Sequence, residues 1–390
     1  MKAVDQEENV EMQPALREDD QAEEGFVPEP AERLVTEGRA RRVVSQPYDL
    51  SIQTLVEQID DKGLVLATDF QRNYVWDEAK ASRLIESLLL NIPIPVCYFA
   101  EDANGTYEVV DGHQRLHSIW RYLKGDFPLR ALTELKQHRG LRFIRLPLGT
   151  QRDLQRRTIR CVVFSRESDP DLKFDVFERL NTNAVSLNAQ ELRNCIYRGQ
   201  LNVLLKELVL EPEFRRALGR RDPDPRMRDH ELVLRFLALN SEIRGYKPPL
   251  KKVLNDFMEA NRTMDPGAIE AMRASFVSTI RSITAVFGDA AFRRIGATGA
   301  RLDANVNRAL FDAQMLCFSR LDSAAVVARR AEIVQAQAAL FGNTEFEDSI
   351  GLATADRARM IDRLRMFSDA VAEIGLPIDH LREFGDRTIE

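Results

Sequence analysis

The pentapeptide Asp111-Gly112-His113-Gln114-Arg115 places a carboxylate, a glycine, an imidazole, a carboxamide and a guanidinium in five consecutive positions. It follows the β-rich run TYEVV (106–110) and precedes LHSIWRYLKG, whose apolar spacing is helical. A strand that turns directly into a helix leaves the first helical N–H groups without carbonyl partners, and such a helix start attracts anions. Gly112 permits a tight turn and a close backbone approach to a ligand. Arg115, in the first turn, adds a forked cation matched to phosphate oxygens. Asp111 is suited to hold a metal ion or orient a water, and His113 or Gln114 to donate to a phosphate or position a nucleophile. The combination fits a nucleoside triphosphate or a nucleic-acid phosphate. The same residues also fit a purely structural turn, with Asp111 capping the helix and Arg115 bound to carbonyl oxygens.

Two further segments carry similar chemistry. In Asp69-Phe70-Gln71-Arg72-Asn73-Tyr74-Val75-Trp76, Gln71 and Arg72 read as a clamp for a base or phosphate. Phe70 and Trp76 read as core anchors there, with base stacking by Tyr74 or Trp76 as the functional alternative. An ion pair between Arg72 and Glu86 is the structural alternative for the arginine. In FERLNTNAVSLNAQELRN (177–194), Asn181 either hydrogen-bonds a nucleotide or stabilises its own loop, while Glu191 and Asn194 read as structural. Arginines cluster at 152–160 and, more densely, at 215–228. The second cluster is the stronger candidate for phosphate contacts, because the prolines of GRRDPDPRMRD predict an extended, exposed loop. No Walker loop, GxGxxG, HExxH or GxSxG motif occurs.

The elements that must position these residues follow from periodicity. Residues 51–60 and EAKASRLIESLLLN after Asp77 are helical, VCYFA (96–100) and TYEVV form a hairpin around DANG, and TIRCVVFS (158–165) is a further strand. From about 170 onward the spacing is helical, with amphipathic stretches near 171–180, 187–197, 200–209, 229–241, 249–261, 266–287, 302–320, 323–340 and 353–373. The Leu and Phe stripes of 302–340 read as core. The predicted architecture is α+β: an acidic tail at 1–44, a small α/β domain at 45–168 and a helical domain at 169–390.

The charge is unevenly spread. The chain of 390 residues has a formal net charge of −6, but residues 1–40 hold 12 acidic and 4 basic side chains. The remainder, with 51 basic and 49 acidic residues, is nearly neutral, so a local basic surface for nucleic acid remains open. The acidic head, poor in apolar residues, reads as a disordered tail. No window is apolar enough for a membrane span, and the start lacks the features of a secretory signal. The four cysteines are widely spaced, which argues against a zinc ribbon or disulfide scaffold and for a reducing cytoplasm.

Taken in order, LATDFQRNYVWDEAKASRLIESLLLNIPIPVCYF, YEVVDGHQRLHSIWRYLKG, FERLNTNAVSLNAQELRN and RDHELVLRFLAL resemble the N-terminal domain of GmrSD-type, modification-dependent restriction systems, over roughly residues 48–260. The resemblance implies a ParB/sulfiredoxin-like fold and a role in antiviral defence. It also implies that DGHQR occupies the family's DGQQR motif, which binds and hydrolyses nucleotide. Asp111, Gly112, Gln114 and Arg115 then take the family roles, and Phe70, Gln71 and Arg72 match its FQR segment near the same pocket. His113 stands where the motif has glutamine, which bears on hydrolysis more than on binding. The implied ligand is a nucleoside triphosphate (GTP, CTP, UTP or ATP) with Mg2+ held by Asp111. The implied partners are DNA, modified phage DNA included, a second copy of the chain, and a separate nuclease or effector subunit. Many relatives carry an HNH nuclease after this domain, which needs clustered His and Asn. Of the five histidines here, only His380 lies beyond residue 230. A non-enzymatic module that grips DNA phosphates through the same loop is the competing expectation.

Overall fold

The computed structural model describes residues 43–66, 74, 76–102, 104–180, 187–243, 246–351 and 354–378. Its elements begin β1 (Ser45–Ser51), α1 (Ile52–Asp60), β2 (Leu64–Val65), α2 (Glu78–Leu89), β3 (Cys97–Glu101), β4 (Tyr107–Asp111) and α3 (His113–Leu123). They continue with α4 (Leu148–Arg156), β5 (Thr158–Phe164), α5 (Pro170–Leu180), α6 (Ala189–Ile196), α7 (Gln200–Leu208) and α8 (Pro212–Leu218). Then come α9 (Arg228–Glu242), α10 (Leu250–Ala260), α11 (Pro266–Phe287), α12 (Arg308–Phe318), α13 (Ser323–Ala328), α14 (Arg330–Leu340), α15 (Thr344–Gly351) and α16 (Arg357–Glu373). The fold is therefore α+β, a small mixed sheet followed by helices, as the change of period at residue 170 predicts.

The five strands lie in the order β1-β5-β3-β4-β2. β1 runs antiparallel to β5, β5 parallel to β3, β3 antiparallel to β4 and β4 parallel to β2. Period-two alternation gives the sheet two faces. Cys97, Phe99, Val109, Ile159 and Cys161 share one core with Ile52 and Leu55 of α1, Ile85 and Leu88 of α2, and Leu116 and Ile119 of α3. The intervening residues point the other way: Tyr98 stacks on Phe164 with ring centroids 6.0 Å apart, and Phe164 meets Phe177 of α5 edge-on at 4.9 Å.

Local signals start the helices where the sequence predicts. The Ser51 side chain accepts from the Thr54 N–H, Asp77 from the Lys80 N–H at 2.7 Å, and Asn188 forms a full capping box with Glu191. Several elements differ from the sequence expectation. The edge strand β1 carries Pro47 and is mostly exposed, so it has no alternation to read. The stretch expected to be one helix at 323–340 breaks into α13 and α14 at Arg329, and that expected at 302–320 is helical only from Arg308 to Phe318.

The chain divides into two compact units. Among the described residues, one takes in 43–215 and 220–278 and the other 216–219 and 279–378. In the second unit Phe292 packs on Phe311 with centroids 4.7 Å apart, and Arg363 pairs with Asp312 at 3.2 Å, both side chains fully buried. Of the Leu and Phe stripe expected to be core, Leu310, Phe311, Leu316 and Phe318 are buried, whereas Leu302 is exposed. Among the described residues no helix is long and apolar enough to cross a membrane.

Candidate functional site

The DGHQR loop belongs to the first unit. β4 ends at Asp111, Gly112 adopts φ +101° and ψ 3°, and α3 begins at His113. A side chain at 112 is doubly excluded. The positive φ strains any L-residue, and a Cβ built there would lie 2.5 Å from the Cys97 sulfur. Gly112 is the N-cap and brings no side chain to cap the helix, so α3 opens with backbone N–H donors. Cys97 is buried, and burial pushes its thiol up to about 11, with Asp111 adding to and Arg115 opposing that shift. It is a packing group, held as a neutral thiol near pH 7.

Asp111 does not cap the helix. Its Oδ2 accepts from Arg115 Nη2 at 2.6 Å, and the other guanidinium nitrogen donates to the carbonyl oxygen of Pro95. Both nitrogens also reach the Val96 carbonyl, at 3.4 and 3.3 Å. Arg115 is thus largely buried and fastens the loop to the segment entering β3, while Asp111 stays partly exposed at the surface end of the pair. The sequence alternative of an arginine bound to carbonyls describes Arg115. The alternative of an aspartate cap does not describe Asp111.

One face of α3 continues the site. Gln114 Oε1 accepts from the Trp76 N–H at 3.3 Å, which orients the amide so that its Nε2 faces His113 Nδ1 at 3.4 Å. Tyr74 hydrogen-bonds Ser118 at 3.0 Å, packs on His117 with centroids 4.8 Å apart, and lies under the Arg121 guanidinium at 4.7 Å. His113 and His117, one turn apart, meet edge to face at 5.6 Å. Sequence reading did not single out His117; its i+4 spacing from His113 on a predicted helix was the available signal.

Burial holds both rings neutral. His113 is pushed down to about 4 by desolvation and then by His117; His117 is lowered by desolvation and by Arg121, against the pull of Asp126. A histidine whose folded pKa lies below its unfolded value contributes stability above the unfolded value, and loses it as pH falls toward the folded one. His113→Gln is therefore expected to flatten stability between pH 6.5 and 4, removing a loss of about 2 kcal/mol after discounting for partial exposure. Denaturant melts at pH 7.5, 5.5 and 4.5 measure this. An acid limb unchanged from wild type would refute it.

Gln71, Arg72 and Asn181 lie outside the described residues, as do Asp69, Phe70 and His380. Glu86, the acid considered for Arg72, accepts from the backbone N–H groups of Thr133, Glu134 and Leu135 and from the Thr133 hydroxyl. Burial works to raise its pKa, and these four donors more than reverse that. Glu191 and Asn194 are structural: Glu191 caps α6 and pairs with Arg226 at 3.3 Å, and Asn194 accepts from Asn202 at 2.8 Å.

Four of the six arginines favoured for phosphate contact pair with acids, while Arg221 stays exposed. Arg215 pairs with Asp229 at 2.9 Å, Arg220 with Asp224 at 2.8 Å, and Arg228 with Asp224 at 3.8 Å. The Asn188 and Asp229 side chains also hold the backbone of that loop. Proline-rich sequence predicted an exposed strip; aspartates within the same loop fold it back on its own arginines. A cavity of about 480 Å3 lies elsewhere in the same unit, lined by Glu101, Glu108, Lys173, Arg198 and Arg262 among others, and contains no residue of DGHQR.

Residues 52–198 match the family described as GmrSD restriction endonuclease, N-terminal domain. This stretch contains the DGHQR loop and α3, but it is shorter than the span the motifs suggested, leaving out RDHELVLRFLAL. No curated protein matches the chain.

Proposed function

We propose that this chain is a nucleotide-binding, DNA-sensing component of a restriction-type defence system, with residues 52–198 a ParB/sulfiredoxin-like nucleotide domain acting through DGHQR. The observation that carries the reading is the loop itself. A glycine that tolerates no side chain delivers the chain into a helix whose first N–H groups no side chain caps, beside a partly exposed carboxylate. The match of residues 52–198 to a restriction-system domain supports the biological setting.

In this reading Gly112 and the first turn of α3 cradle phosphates, Arg115 and Arg72 neutralise them, and Gln71 and Asn181 contact the nucleotide. Gln114, oriented by Trp76, directs a water. Mg2+ fits only in company: among the described residues no group of three or more ligating side chains exists, so Asp111 would share the ion with phosphate oxygens. Bound there, the ion would supply charge neutralisation for phosphoryl transfer.

A non-enzymatic module is favoured by one observation, that Arg115 is already bonded to Asp111 and two carbonyls. Asp111→Asn separates the readings, since the amide oxygen still accepts from Arg115 but no longer attracts a cation. Mg2+-dependent binding of the four ribonucleoside triphosphates is expected in the wild type. It should weaken at least tenfold in Asp111→Asn with melting little changed, and any turnover should be lost. A wild type that binds none of the four sinks the nucleotide reading and leaves the non-enzymatic module.

A further inference from the structure

The stretch from Lys136 to Arg160 contains eight Lys or Arg residues and one acid, Asp153, in a chain whose net charge is negative. Seven of the eight are arginines. Lys136, Arg139, Arg145, Arg152 and Arg156 are exposed, and none makes a side-chain hydrogen bond or ion pair among the described residues. The paired arginines of 215–228 show that this chain commonly supplies acids to its cations; here it does not. Of the eight, Arg160 pairs with Asp49, which itself is exposed.

This surface is built on a firm base. Glu86 anchors residues 133–135, Gln151 donates to the Leu146 carbonyl at 2.7 Å, and Leu129 exchanges backbone bonds with Gly140 and Leu141. Leu132, Leu146 and Leu154 are buried in the core beneath. On α4, Arg152 and Arg156 are one turn apart, about 6 Å along the axis, and Leu154 faces inward. Ile144 and Leu148, 73% and 70% exposed, lie beside the cations. The segment also packs on α3: the Tyr122 hydroxyl donates to the Leu141 carbonyl, and Tyr122 meets Phe143 at 6.1 Å.

We infer that residues 136–156 form a docking surface for the phosphate backbone of nucleic acid, at the opposite end of α3 from the DGHQR loop. The inference deepens the DNA-sensing part of the reading above and rests on it. Charge complementarity selects a polyanion, and the predominance of arginine favours one whose phosphates accept a guanidinium fork. Two exposed aliphatic side chains suit contact with sugar or base edges better than insertion into a bilayer.

The test is fluorescence-anisotropy titration of a labelled 30-base-pair duplex with the full chain, from 50 to 300 mM salt. The quadruple variant Arg139→Gln, Arg145→Gln, Arg152→Gln, Arg156→Gln is compared with the same four positions changed to Lys, and both are checked by circular dichroism melting. The glutamine variant is expected to bind at least tenfold more weakly, with a salt slope shallower by about 3–4. The lysine variant should keep the wild-type slope. An unchanged slope in a glutamine variant that still binds DNA would overturn the surface while leaving the DNA-sensing reading intact. A wild type that binds no duplex, with or without Mg2+ and nucleotide, would overturn both. Loss of binding to phosphatidylserine vesicles with DNA binding unchanged would make the patch a membrane surface and overturn it as well.

Discussion

Gly112→Ala is expected to destabilise the unit that carries the sheet by about 2–5 kcal/mol, one of the two largest effects of a single change in this chain. Two independent costs combine. Gly112 sits at φ +101°, a conformation costing L-residues about 1–2 kcal/mol, and the added methyl would meet the Cys97 sulfur at 2.5 Å. The sulfur has nowhere to go. Cys97 is fully buried, and β3 is bonded on one side to β5, with Cys97 opposite Cys161, and on the other to β4, with Tyr98 opposite Asp111. Adding Cys97→Ala removes the sulfur and should recover roughly the overlap part, about 1–2 kcal/mol, but not the backbone part. Urea denaturation of the two single variants and the double variant measures this. A single alanine variant within 0.5 kcal/mol of wild type, roughly the noise of such measurements, would show that the loop is free to rearrange. If the nucleotide reading holds, the same variant should lose nucleotide affinity, because the turn that presents the N–H donors is displaced.

Arg198→Met is the second. Glu108 lies on β4, on the face turned toward α5 and α6, and is 2% exposed. Arg198, just after α6, is its ion-pair partner, and burial lowers the Arg198 pKa to about 10, against the opposing pull of Asp102. Removing the cation leaves a buried carboxylate uncompensated, a loss of about 3–5 kcal/mol at neutral pH. The sign with pH follows. Acidification protonates the stranded carboxylate and removes its charge, so the difference from wild type should shrink as pH falls to 4. Changing both partners to Glu108→Leu and Arg198→Met should cost far less than Arg198→Met alone. A double variant as unstable as the single one would refute the pairing. By contrast, breaking the exposed Arg160–Asp49 pair should change stability little, since both side chains are more than half exposed.

These predictions concern positions of unequal legibility. Asp77 could be named as a helix start because a cap acts within three residues of itself. The hairpin around Asp102, and the strand-to-helix turn at Gly112, were legible for the same reason. Arg115 was legible as an important cation but not as a buried one, since its partners Pro95 and Val96 lie about twenty residues earlier. The two arginine clusters differ in a respect that no sequence pattern reports. Sequence shows how many cations a segment has, whereas only folding shows which of them meet an acid: Arg226 finds Glu191, 35 positions away, and Arg152 and Arg156 find none among the described residues.

By itself, then, the sequence determined the α+β organisation, the change to helices at residue 170, the position of the glycine turn and the resemblance to a restriction-system domain, whose bounds it drew too wide. All of these depend on periodicity and short-range chemistry, which span a few residues. Tertiary structure alone decided that Cys97 forbids a side chain at 112, that Glu86 anchors the 133–135 loop, that Glu108 pairs with Arg198, and that Arg215, Arg220, Arg226 and Arg228 meet acids while Arg152 and Arg156 meet none among the described residues. Each of those is a contact between segments distant in the chain, where burial fixes which charges are neutralised and which stay open to a partner.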